Sequence, residues 1–108
     1  MQAIDHSRDA IRPAMSAANL IVNATSVGLQ PDDKAPIDGD LLSAAHFVYD
    51  TIYNPPRTKL LVVGQAAGAR IANGSSMLLQ QGARAFEIWF KRKAPVAVMR
   101  AALRSVVP

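Results

Sequence analysis

Three short stretches hold the residues with chemistry to offer. Val48-Tyr49-Asp50-Thr51-Ile52-Tyr53-Asn54-Pro55 sets hydroxyls and a carboxylate just ahead of an Asn-Pro-Pro stop. Leu20-Ile21-Val22-Asn23-Ala24-Thr25-Ser26-Val27-Gly28 ends an apolar run in small polar side chains. Asn73-Gly74-Ser75-Ser76-Met77-Leu78-Leu79-Gln80-Gln81-Gly82-Ala83 opens on turn residues and passes into an apolar pattern that contains Gln81. These groups suit hydrogen bonding to a polar ligand. The Tyr53 phenol can bond a polyhydroxylated molecule, or close the rim of a core with its hydroxyl in water. Gln81 follows Leu78 by three positions and precedes Ala85 by four, which sets it on an apolar helical face. A buried amide left unpaired there costs about 1–3 kcal/mol, so it either bonds nearby backbone or faces a polar cavity. Gln80 beside it points to solvent. Asn23 and Thr25 admit two readings as well, a ligand-lining turn or turn chemistry alone, because both side chains bond nearby backbone groups.

Other chemistries find little support. His6 and His46 have no acid or metal partner at ligand spacing, so no metal site is expected. Asp50 follows an apolar run inside a strand and is read as bracing backbone or loop groups, not as a base. Asp32, Asp33, Asp38 and Asp40 read as solvated loop acids. No residue is assigned a catalytic role. The chain has no cysteine, which excludes disulfides and thiolate ligands and fits a cytoplasmic protein. The net charge of +4 raises the question of nucleic acid. Its cations are scattered apart from Lys91-Arg92-Lys93, and aromatics are too few to interleave as stacking platforms. That run reads as a solvated loop, and no nucleic-acid partner is expected. No apolar run approaches the roughly 18 residues of a membrane span. Met1 to Asp9 is charged and polar, unlike a secretory signal.

The elements that must position these residues follow from periodicity. With 108 residues, half of them hydrophobic, the chain can bury one modest core. Met1 to Ala18 reads as a ragged helix or partly disordered lead-in interrupted by Pro13. Leu20 to Ala24 is a continuous apolar run, expected as a strand buried on both faces. Gln30 to Asp40 reads as a surface loop and Asp40 to Ala45 as a short helix packing Leu41 and Leu42. Phe47 to Tyr53 is the second strand. Thr58 caps a helix to Ala67 that stops at Gly68. Ala69 to Ala72 is a third strand. Ser76 to Trp89 is a helix with Leu78, Gly82, Ala85 and Trp89 on one face. Pro95 opens a last helix striped by Val96, Met99, Leu103 and Val106. Strands alternating with helices imply a parallel sheet with crossover helices, the α/β class. In such sheets ligands bind outside the carboxyl ends of the strands, where the first two stretches end.

In order and spacing, the three stretches together resemble the carboxyl-terminal part of shikimate dehydrogenase, from about Ala18 onward. The resemblance implies the carboxyl-terminal half of a Rossmann-like parallel sheet, with about three strands and flanking helices. It implies NADP as cofactor and shikimate or 3-dehydroshikimate as substrate, in aromatic amino-acid biosynthesis. Matched residue by residue, Tyr53 and Gln81 contact substrate. Thr51 packs on the nicotinamide, and Asn23 and Thr25 border the cofactor. Ser76 stands where many members have a glycine whose carbonyl meets the carboxamide, and its Cβ departs from that pattern.

No G-x-G-x-x-G turn occurs in the chain, and the family's catalytic Lys and Asp belong to an amino-terminal substrate domain. Residues 1–108 are therefore expected to form a partial dinucleotide-binding domain without that substrate domain. Such a chain is expected to be inactive alone and to self-associate or pair with an amino-terminal region. A quinate or quinate/shikimate dehydrogenase and a non-catalytic, self-associating Rossmann fragment are the alternatives.

Overall fold

Val, Ile, Phe and Tyr crowd the first two strands because β-branched and aromatic side chains fit a pleated surface. The computed structural model describes residues 1–107. Its elements are α1 (Arg8–Ala17), β1 (Leu20–Asn23), β2 (Phe47–Asp50), α2 (Lys59–Ala66), β3 (Arg70–Ala72), α3 (Ser75–Phe90) and α4 (Val96–Val106). A 3-10 turn, Gly39–Leu41, stands where a short helix was expected over Asp40 to Ala45, and it still buries Leu41 and Leu42. The sheet is three-stranded and parallel in the order β1-β2-β3. Leu20 pairs with Phe47 and Asn23 with Asp50, while Phe47 pairs with Arg70 on the other side. β2 is therefore the central strand and β1 an edge.

Helix α2 shows why the sequence folds as it does locally. The Thr58 hydroxyl accepts a hydrogen bond from the Leu61 amide at 3.4 Å, satisfying a donor that the first turn leaves free. At the other end Gly68 adopts φ +83. The Ala69 amide then reaches back to the Gly64 carbonyl and the Gly68 amide to the Gln65 carbonyl, each at 3.0 Å. This pair of bonds is a Schellman stop, which favours glycine because a side chain strains positive φ. Leu60 and Leu61 join Val48, Ile21, Leu41, Leu42, Met15 and Ala69 in one core on the α2 side of the sheet.

The opposite side differs from expectation. β1 is buried on one face only: Ile21 points into the core, while Leu20 and Val22 are 56% and 50% exposed. The apolar run is continuous, but no element among the described residues covers its second face. β2 ends at Asp50, so Thr51 to Tyr53 belong to the turn that follows it. In α3 the buried residues are Leu79 and Ala83, with half-buried Phe86 continuing that line. The apolar face is thus rotated from the expected stripe, and Trp89 is 75% exposed. Helix α4 begins after Pro95 and packs on α3. Val96, Met99 and Leu103 are half-buried, whereas Val106 is exposed.

At the amino ends of the strands, His46 is buried. Its Nδ1 accepts from the Ser43 amide at 2.9 Å and its Nε2 lies 3.0 Å from the Met15 carbonyl. Nε2 carries the proton in that arrangement, and the ring fastens the end of α1 to the start of β2.

Candidate functional site

The carboxyl ends of β1 and β2 are joined by a buried carboxylate. Asp50 is 0% exposed. Its Oδ1 accepts from the Asn23 side-chain amide at 3.1 Å and from the Ile52 backbone amide at 3.0 Å. Its Oδ2 accepts from the Thr58 hydroxyl at 2.6 Å. Burial of an ion costs several kcal/mol unless donors replace water, and here three do so. The same carboxylate fixes the turn after β2 and the cap of α2. Both oxygens accept hydrogen bonds and the group is closed off from the surface, so this residue braces the two turns, as expected from the sequence.

Asn23, also buried, extends the network into the turn after β1. Its Nδ2 also donates to the Val27 carbonyl at 3.1 Å, and its Oδ1 accepts from the Thr25 hydroxyl at 2.7 Å and the Thr25 amide at 3.2 Å. The Thr25 hydroxyl in turn accepts from the Val27 amide at 3.1 Å. Thr25 is exposed at the tip of this arrangement. Thr51 is half-buried, and its amide and hydroxyl both donate to the Asn23 carbonyl, at 3.0 and 2.9 Å. Among the described residues no buried side-chain nitrogen or oxygen lacks a partner.

The third stretch is brought in by backbone. The Gly74 amide donates to the Ile52 carbonyl at 3.1 Å. A Cβ on Gly74 would lie 1.9 Å from the Thr51 carbonyl oxygen, a separation no side chain tolerates. The sequence alone assigns Gly74 no role. Its signal was the Asn73-Gly74 pair, in which Asn73 Oδ1 accepts from the Ser75 amide at 3.1 Å to start α3. Asn73 Nδ2 also holds the Pro56 carbonyl at 2.9 Å, tying down the loop that contains the cis Asn54–Pro55 bond.

These contacts gather Asn23, Thr25, Thr51 and Tyr53 at the strand ends, with Ser76 just inside the adjoining helix. Tyr53 and Ser76 are exposed there. Gln81 is exposed too, which corrects the expectation of a buried amide on the apolar face. It sits two residues beyond Leu79, about 200° around the helix from the buried line. It has no internal desolvation to compensate, and it is free to meet a ligand or a neighbouring domain. Beside Ser75 and Ser76, a cavity of about 130 Å³ is completed by Leu79, Arg100, Leu103 and Arg104.

Two loop carboxylates are held below their usual range without touching this cluster. Asp33 is lowered by backbone amides of Gln30 and Gly28, and Asp40 by its bond to Arg8. Among the described residues, no group of three or more His, Asp or Glu side chains gathers to hold a metal. Among the described residues no helix is long and apolar enough to cross a membrane.

A parallel α/β sheet whose polar turns cluster beyond the strand ends belongs to the Rossmann-like class. A family model described as the Shikimate 5'-dehydrogenase C-terminal domain matches residues 74–104. The shikimate dehydrogenase (NADP(+)) of Moorella thermoacetica is 42% identical over 98 residues, covering 90% of this chain and 33% of the relative. A crystal structure of a shikimate dehydrogenase in complex with NADP+ matches with a TM-score of 0.82 at 33% identity, over 87% of this chain and 33% of that one. The Listeria monocytogenes shikimate 5-dehydrogenase, in complex with shikimate and NAD, matches at 0.80 and 34%, over 92% and 34%. The chain belongs to the shikimate dehydrogenase family and corresponds to its carboxyl-terminal part. It spans about a third of the length of the curated relatives it matches.

Proposed function

We propose that the chain supplies part of the nicotinamide wall and part of the substrate clamp of an NADP-dependent shikimate dehydrogenase, which interconverts 3-dehydroshikimate and shikimate. The observation that carries this reading is the convergence of three family motifs at one end of the parallel sheet, the third held there by the Gly74–Ile52 bond. Residues 1–108 act as the carboxyl-terminal part of a dinucleotide-binding domain, and the substrate domain and Gly-rich turn come from polypeptide outside them. Thr51 packs on the nicotinamide, Ser76 turns its carbonyl to the carboxamide, and Asn23 and Thr25 border the cofactor. Tyr53 and Gln81 hold the substrate through phenol and amide.

The residues present fit the nicotinamide end of NADP: exposed Thr25 and Ser76 and half-buried Thr51 offer polar groups at the strand ends. When bound, NADP supplies the ring that exchanges hydride with the alcohol carbon of the substrate. This chain orients that exchange and contributes no general acid or base, consistent with the complete burial of Asp50. The uncovered face of β1 supports pairing with an amino-terminal polypeptide, or with a second copy when none is supplied. A cytoplasmic location goes with this reading.

Activity decides it. The chain alone should not oxidise shikimate with NADP, whereas joining it to the amino-terminal portion of the Moorella relative should give turnover. In that enzyme Tyr53→Phe and Gln81→Ala should each lower kcat/KM for shikimate by about 2- to 10-fold, the worth of one hydrogen bond. Cofactor KM should stay nearly unchanged in both, while Ser76→Gly should shift cofactor KM and spare shikimate. Turnover by the purified chain alone would sink the division of labour. Preference for quinate would replace the substrate, and effects of Tyr53→Phe and Gln81→Ala confined to cofactor KM would overturn the residue assignments.

A further inference from the structure

The turn after β1, which bears Thr25, and the turn after β2, which bears Tyr53, are linked through one run of side chains. The Thr25 hydroxyl donates to Asn23 Oδ1 at 2.7 Å, and Asn23 Nδ2 donates to Asp50 Oδ1 at 3.1 Å. Asp50 Oδ1 also takes the Ile52 amide at 3.0 Å, and its Oδ2 takes the Thr58 hydroxyl at 2.6 Å. Thr58 closes the run by accepting from Leu61 at 3.4 Å.

Three properties make this run more than a set of independent braces. Asp50 is 0% exposed and all its side-chain partners are uncharged, so each donor it loses leaves part of a buried charge uncompensated. Oδ1 is shared between the two turns, taking Asn23 from one and Ile52 from the other. Asn23 uses both ends of its amide group, so a shift that frees Thr25 from Oδ1 also moves the donor aimed at Asp50.

We propose that Asp50 is a positioning residue that couples the two turns, so that ordering the Thr25 turn by a cofactor also orders the Tyr53 turn for substrate. The roles given to the two turns rest on the dehydrogenase reading above. The coupling belongs to this chain and is measurable with no ligand present.

Amide hydrogen exchange on the full chain, read by NMR, provides the test. Thr25→Val removes a hydroxyl from an exposed residue at the far end of the run. The Ile52 and Leu61 amides should then exchange about threefold faster or more. The Arg70 amide, bonded to the His46 carbonyl at the opposite end of β2, should not change. Thr25→Ser should restore the original rates, which a loss of bulk packing would not predict. In reverse, Thr58→Val should speed exchange at Val27, and the double variant should depart from additivity. Perturbation that stops at Val27 in Thr25→Val, or additive single effects, would overturn the coupling. If Thr58→Val fails to fold, Thr25→Val and its serine rescue decide the matter alone. NADP added at saturation to the enzyme formed by joining this chain to the amino-terminal portion of the Moorella relative separates the two claims. Protection of Val27 without Ile52 overturns the coupling, whereas coupled turns that NADP leaves unprotected overturn the cofactor assignment and leave the coupling standing.

Discussion

The strand ends and the flank of β1 are built to opposite rules. At the strand ends every buried polar side chain is partnered, and a charge sits in the interior on three hydrogen bonds. Along the flank, Leu20 and Val22 stand half in water on a strand with an unpaired edge. The first region is self-sufficient within this chain. The second leaves apolar side chains and backbone groups open, since an apolar strand edge without lysine, proline or bulge is a template for further pairing. The contrast sets a region whose polar groups are all satisfied internally against one whose surface remains open.

The largest effect should come from the tightest contact at the strand ends. Gly74→Ala places a methyl group against the Thr51 carbonyl, where the neighbour is backbone and cannot rotate away. It should destabilise the fold by about 3 kcal/mol or more, beyond ordinary overpacking. Gly82→Ala is the control within the same helix. Its Cβ would meet only the flexible end of Met99 at 3.5 Å, and a helical glycine gains about 0.5–1 kcal/mol on becoming alanine. Urea midpoints for both variants make the check. Equal destabilisation by the two would mean that the start of α3 is not pinned to Thr51.

The flank should respond in association, not in folding. Leu20→Lys and Val22→Lys each put a charge on the open face of β1 while leaving the core-facing Ile21 in place. Folding should change by only about 0.5 kcal/mol, the usual range for surface sites. Self-association, read by light scattering at high concentration, should fall in both. Ile21→Lys should instead unfold the chain, because it buries an unpaired ammonium beside Val48 and Leu60. A parent chain that stays monomeric at every concentration would remove the argument from the exposed edge.

What the sequence made legible follows the same division. Helix α2 was readable at both ends because Thr58 and Gly68 act through local backbone geometry. The parallel sheet was readable from alternating strands and helices. The second face of β1 was not, because an apolar run records what a strand can bury and not whether a cover is present. Gln81 was misplaced for a related reason. Leu78 and Leu79 are both apolar, and composition alone does not choose which of two adjacent lines faces inward. The Gly74 contact left only a turn dipeptide as its trace, since it joins backbone to backbone. Within the site, Asp50 was legible as a brace because a carboxylate at the end of an apolar strand requires donors. Its sharing between two turns was not, because Asn23 and Thr58 reach it only through the fold.

The smallest effect lies on the loop that leaves the buried network. Asp33 Oδ2 alone accepts from the Gly28 amide at 2.8 Å and the Gln30 amide at 3.0 Å. Those bonds hold the carboxyl below its usual range, the Gln30 bond first. A lowered folded-state pKa means that the folded chain binds fewer protons than the unfolded one. The contribution is therefore present above the ordinary carboxylate value of about 4 and is lost as pH falls below it through the lowered one. The loop touches the network where Gly28, at φ +116, lies against Ile52 and Thr58. NMR shifts of the Gly28 and Gln30 amides should accordingly titrate in that acid window, while the Arg70 amide, bonded to the His46 carbonyl at the other end of β2, holds steady. Because one oxygen takes both bonds, Asp33→Asn can keep both through its amide oxygen. It should leave the neutral-pH spectrum nearly unchanged and abolish the acid titration, whereas Asp33→Ala should shift both amides at every pH. Were Arg70 to titrate together with Gly28, the acid transition would be a change of the whole fold, and its assignment to the Asp33 loop would fail.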